Sequence, residues 1–129
     1  MATTRTTAYS VGNTPPQITW TVVKGDTASF RVTVTDDLLA PLDLTNFTIR
    51  MHIKLEGESE VVPPVVSLVP DVYGDPTDGK FTVALTAEDS ALLTTGDIFD
   101  IELSTAENAT VWTVAQGSMI IIEDITTNL

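Results

Sequence analysis

Between Phe47 and Leu55 apolar and polar residues alternate without a break, with Phe47, Ile49, Met51, Ile53 and Leu55 on one side and Thr48, Arg50, His52 and Lys54 on the other. A side-chain period of two belongs to the pleated strand, so this run predicts a strand with one buried and one wet face. Ala28, Phe30, Val32 and Val34 alternate in the same way with Ser29, Arg31, Thr33 and Thr35. Threonine, valine and isoleucine make up about a third of the chain, and β-branched side chains pack well on a pleated surface while losing rotamer freedom in a helix.

Shorter runs extend the pattern. Ile18, Trp20 and Val22 precede the turn residues Lys24-Gly25-Asp26, and Phe81, Val83 and Leu85 follow a segment dense in Asp, Gly and Pro. The last three strands are predicted over Ile98 to Ser104, Thr110 to Ala115 and Ser118 to Ile125, joined by turns at Glu107-Asn108 and Gln116-Gly117. Val61 to Val69 is interrupted by Pro63 and Pro64, which suits an edge strand, because proline cannot donate to a ladder. Thr86 followed by Glu88 and Asp89 reads as a helix cap with acidic first-turn residues, predicting one helical turn that ends near Gly96. The leucines between Asp36 and Leu44 are expected to tuck under one end of the core. About eight short strands at this spacing predict an all-β fold, an immunoglobulin-like antiparallel β-sandwich with one short helical turn.

A chain of 129 residues and 13.8 kDa is one domain's worth. Residues 1–17 are threonine-rich and end in Thr14-Pro15-Pro16, so they are expected to form an extended arm, followed by the sandwich at 18–125 and a short tail at 126–129. The formal net charge of −12 repels phosphate backbones and anionic lipid heads, so neither nucleic acid nor a membrane is an expected partner. No stretch approaches the length of a bilayer span and the N-terminus lacks a signal-peptide core, so the chain is expected to be soluble and made in the cytoplasm. The absence of cysteine removes disulfides, thiolate metal sites and cysteine nucleophiles, and a single histidine, His52, removes multi-histidine sites.

What remains for chemistry is sparse. Asp71, Asp75 and Asp78 share one loop and offer the hard oxygens that calcium takes, but their spacing matches no helix-loop-helix site and the same residues are turn formers. Asp100 and Glu102, beside Asp97, fall on the outward face of a strand, where a solvated charged stripe is the expected role. His52 lies between Arg50 and Lys54 on a polar face, as a cross-strand partner for outward acids. No serine elbow accompanies it, so an enzyme is not expected, nor is a cofactor. Trp20 and Trp112 suit core or interface anchors. Together with Tyr9 and Tyr73 they would be the stacking groups of the alternative reading, a carbohydrate-binding module for host-surface glycans. Contacts with other chains are expected at Tyr9, Pro15 and Pro16 of the arm and at Val62, Val65 and Val66 of the edge strand.

The turn signatures also carry a resemblance. Val23-Lys-Gly-Asp-Thr27, a strand ending in Thr35-Asp-Asp37, and Pro41-Leu-Asp-Leu-Thr45 resemble the opening of the small β-sandwich found in virion proteins of tailed bacteriophages. They are similar to the "QGDT…TDD…PLDLTG" pattern of the N-terminal domain of siphophage upper baseplate proteins. Gly79 to Asp89 and Gly96 to Leu103 continue the likeness, which spans about residues 18–125, with Lys24 and Asn46 standing where the pattern has Gln and Gly. The resemblance implies a structural role in a virion, as a capsid decoration protein or as a tail, baseplate or connector accessory. Its partners would then be other virion proteins and further copies in a homo-oligomer.

Overall fold

The computed structural model describes residues 5–11, 14–55, 63–106 and 110–123. Among the described residues nine strands form two sheets: β1 (Arg5–Ser10), β2 (Gln17–Val23), β3 (Ala28–Thr35), β4 (Thr48–Lys54), β5 (Val66–Leu68), β6 (Asp71–Val72), β7 (Lys80–Leu85), β8 (Ile98–Ser104) and β9 (Val111–Ile122). One sheet has the order β1-β3-β7-β6 and the other β2-β9-β8-β4-β5. A helix, α1 (Ala87–Ala91), follows β7 and is capped by the Thr86 hydroxyl, which accepts from the Asp89 amide. A 3₁₀ turn at Pro76–Asp78 lies between β6 and β7.

The period-two runs supply the core. Phe30, Val32 and Val34 of β3 and Phe81, Val83 and Leu85 of β7 face Ile49, Met51 and Ile53 of β4 and Phe99, Ile101 and Leu103 of β8, and all are buried. Trp20 of β2 crosses between the layers to meet Phe30 of β3 edge-on, with ring centroids 4.7 Å apart. The sandwich is therefore held by apolar burial and aromatic contact where a disulfide could have served, and the chain contains no cysteine.

Several features depart from the sequence reading. Two pairings are parallel: β1 with β3, and β2 with β9. The expected arm is not free. Residues 5–10 are an edge strand of the four-stranded sheet, and Pro15-Pro16 precede the crossing into the other sheet, where β2 begins at Gln17. Gln116-Gly117 is not a turn, since β9 runs unbroken from Val111 to Ile122. A bulge explains the misleading pattern. Ile101 pairs with Ala115 and Glu102 with Thr113, leaving Val114 as the extra residue, so Val114 and Ala115 are both buried and the alternation changes phase.

The loop after β3 divides its leucines. Leu44 is buried and Leu42 half-buried beneath the sheets, as expected, but Leu38 and Leu39 stand 84% and 74% exposed at the loop tip. Of the edge expected from Val61 to Val69, residues 61 and 62 lie outside the described residues, and the strand is the three-residue β5 at the border of the five-stranded sheet. The turn at Glu107-Asn108 and the tail at 126–129 lie outside the described residues.

Candidate functional site

Because β4 and β8 alternate, their polar residues share the outward face of the five-stranded sheet. The register sets Arg50 opposite Glu102 and His52 opposite Asp100. His52 therefore has the cross-strand acidic neighbour expected of it, and the two carboxylates form a charged stripe beside a basic one. With Gln17, Lys54 and Gln116 they line an open depression of about 680 Å³. Asp97, in contrast, is buried. Its carboxylate accepts from the Thr94 amide at 2.9 Å and from the Thr94 hydroxyl at 3.0 Å, closing the turn into β8, a role that alternation alone does not reveal.

The face brings together one arrangement that sequence spacing hid. Ser67 of β5, His52 of β4 and Asp100 of β8 lie side by side across three strands. Residue types match a nucleophile, base and acid, and the register alone places them in one row. The row also sits within a continuous ladder, where the amides of β4 alternate between bonds to β5 and to β8.

The three loop aspartates do not converge. The Asp75 carboxylate caps the 3₁₀ turn, accepting from the Thr77 amide at 2.9 Å and the Thr77 hydroxyl at 2.8 Å, and these bonds hold its pKa below the usual carboxylate value. Among the described residues no three acidic or histidine side chains gather as a metal site. Asp71 lies in β6 and Asp78 ends the 3₁₀ turn, so turn and strand formation account for all three. Asp43 behaves like Asp75: the Thr45 hydroxyl and then the Thr45 amide donate to it and lower its pKa.

The expected contact residues fare unequally. Tyr9 and Val66 are buried in the core, because β1 and β5 each turn that side chain inward, so neither offers a surface. Val65, Pro15 and Pro16 are half-buried, and Val62 lies outside the described residues. The stacking groups of the alternative reading are divided in the same way. Trp20 and Tyr9 are core residues, Trp112 is half-buried and stacks on Phe47 at 5.4 Å, and Tyr73 stays 44% exposed with the Arg31 guanidinium over its ring at 3.7 Å.

No protein-family model matches the chain, and no curated protein matches it. The fold does have a solved counterpart. It is similar to the structure of the natural killer cell receptor NKp44, a triggering partner in natural cytotoxicity, with a TM-score of 0.50 at 16% identity over 82% of this chain and 98% of that one. At that identity the likeness concerns the fold alone, an immunoglobulin-like β-sandwich. Among the described residues no helix is long and apolar enough to cross a membrane.

Two surface features remain that the sequence did not single out. Leu38 and Leu39 project from a loop fixed by Asp36, whose carboxylate accepts from the amides of Leu38 at 2.9 Å and Ala40 at 3.0 Å, and Leu39 has a φ of 66°. The outward faces of β2 and β9 are the second: Gln17, Thr19, Thr21, Gln116, Ser118, Ile120 and Ile122 carry no charge.

Proposed function

We propose that this chain is a non-enzymatic structural component of a tailed-phage virion, a capsid decoration protein or an accessory of the tail, baseplate or connector, that docks through a sheet edge and loops. The observation that carries the reading is the fixed Leu38-Leu39 tip. Two large apolar side chains stand in solvent on a loop whose backbone is held by Asp36, with one residue in a left-handed conformation that a leucine adopts only at a cost. A solvated loop gains nothing from such a display, whereas a docking contact does.

The turn signatures support the address. The residues that resemble the baseplate sandwich are those that shape the frame: Gly25 in the β2–β3 turn at φ 85°, Asp36 in the β3 loop, and Gly79 at φ 70° packed against the backbone of Val34 and Leu42. Mass spectrometry of purified particles, with copy number, tests the reading. Hundreds of copies fit a shell-bound decoration protein and about a dozen fit a connector ring, as orders of magnitude for those symmetries. Absence from particles made by a host that expresses the chain overturns it.

A further inference from the structure

We infer that β2 is a homodimerisation edge: two copies pair their Gln17–Val23 strands antiparallel, about a two-fold axis at Trp20, and so join two five-stranded sheets into one. The reading deepens the proposed structural role by naming a second copy as the partner of one edge.

The direction of the β2 backbone groups follows from two bonds at its ends. The Gln116 amide donates to the Pro16 carbonyl at 3.2 Å, and the Lys24 amide donates to the Ile122 carbonyl at 2.8 Å. With the parallel register between them, Ile18, Trp20 and Val22 direct both backbone groups at β9. Gln17, Thr19, Thr21 and Val23 therefore direct theirs away from the sheet, and among the described residues only the Val23 carbonyl is engaged, by the Asp26 amide. An identical strand laid antiparallel with Trp20 opposite Trp20 sets Thr19 against Thr21 of the second copy and Thr21 against Thr19. Each such pair exchanges two N–H···O bonds, and Gln17 then faces Val23 at either end. The edge is complementary to itself.

Charge singles out this edge. The chain carries a net charge of −12, so two copies repel wherever acidic surfaces meet. Gln17–Val23 contains no charged residue, and the neighbouring outward residues of β9, from Gln116 to Ile122, contain none either. Exposed edges in natural sheets are commonly guarded by charge, proline or brevity. β5 has three residues between Pro64 and Pro70, and β6 has two. Among the described residues β2 is the longest of the four edge strands and has none of these guards within it. Pro15-Pro16 bound its length, and the short β5 at the far border cannot propagate the sheet, so the pairing closes as a dimer and does not grow into a fibre.

Sedimentation velocity on the full chain, over about 1 µM to 1 mM, the span of modest affinities, tests the inference. The wild-type mass is expected to double across that range, and the Thr19 and Thr21 amides are expected to exchange more slowly with deuterium in the dimer. Thr19→Pro removes an outward N–H and none of the bonds to β9, so it should weaken dimerisation at least tenfold with the fold retained. Thr21→Lys sets like charges near the two-fold axis and should dissociate the dimer at low salt and restore it at high salt, which the proline variant would not do. A wild-type monomer throughout, or a dimer that both variants leave unchanged, overturns the edge. A monomer that still joins particles sinks the dimer alone. A dimer absent from particles sinks the virion role alone.

Discussion

The backbone oxygen of Ile18 occupies the space that a side chain on Gly117 would need: a Cβ at that position would lie 1.8 Å from it and 2.9 Å from the Ile18 nitrogen. Gly117 is thus a contact residue, and its lack of a side chain lets β2 lie flat against β9. Gly117→Ala should destabilise the sandwich by at least about 2 kcal/mol, the scale of overpacking against atoms that cannot move aside. Urea denaturation followed by tryptophan fluorescence measures it, since Trp20 sits on the displaced strand. A loss below about half a kcal/mol, as surface substitutions give, would mean that the strands separate freely there.

Residues with a strict period of two were legible because their alternation reports directly on burial. β3, β4 and β7 were read correctly from such runs, as was the Thr86-capped turn from its cap. β9 was not, for a physical reason. The bulge at Val114 turns two successive side chains inward, and Gly117 follows, so a phase change and a glycine together imitate a hairpin. The charged stripe of Arg50, His52, Asp100 and Glu102 was visible in outline, while its pairing required the register. Nothing local in Leu38-Leu39 told that tip apart from Leu42 and Leu44, because which leucines are covered is decided by the 3₁₀ turn at Pro76, whose carbonyl accepts the Leu44 amide at 2.9 Å.

Tyr9 makes a second expectation. A free arm would lose nothing on truncation, but Tyr9 is only 6% exposed and belongs to the core. Tyr9→Ala should cost about 3 kcal/mol, the lower range for removing a large buried aromatic. Thermal melts of this variant, and of a chain lacking residues 1–13, should both fall well below wild type. Melts that coincide with wild type would return the segment to the status of a detachable arm.

Ser90 is a fully buried hydroxyl that ties α1 to the β2–β3 turn. It accepts from the Gly25 amide at 3.0 Å and donates to the Asp26 carbonyl at 2.7 Å, with the Ala87 carbonyl 3.1 Å away. Ser90→Ala leaves both turn groups without their partner and should cost about 1–2 kcal/mol, most of it desolvation left uncompensated. Faster amide exchange at Gly25 in the variant would locate the loss; an unchanged rate would mean that water replaces the hydroxyl.

Acid should loosen the turns at Asp43 and Asp75. Both carboxyls have a folded pKa below the ordinary 3.8, so each contributes stability that is complete above that value and is lost as pH falls through the lower folded value. The melting-temperature gap between wild type and Asp75→Ala should therefore be widest at neutral pH and close below pH 3.8. A gap that widens on acidification would reverse the sign and discard the turn assignment.

Leu39 couples the display of the loop tip to its strain. Its φ of 66° costs a leucine about 1 kcal/mol relative to a residue at ease in that region, and asparagine keeps the loop geometry at lower cost. Leu39→Asn should leave the melting temperature level or slightly raised, because the side chain it removes touches solvent. Leu38→Ser paired with Leu39→Asn should then lower incorporation into particles, measured by copy number, without lowering the melting temperature. That opposition is the test: a residue retained for folding loses both together, whereas one retained for docking loses incorporation alone. Full incorporation of the double variant would move the contact off this loop.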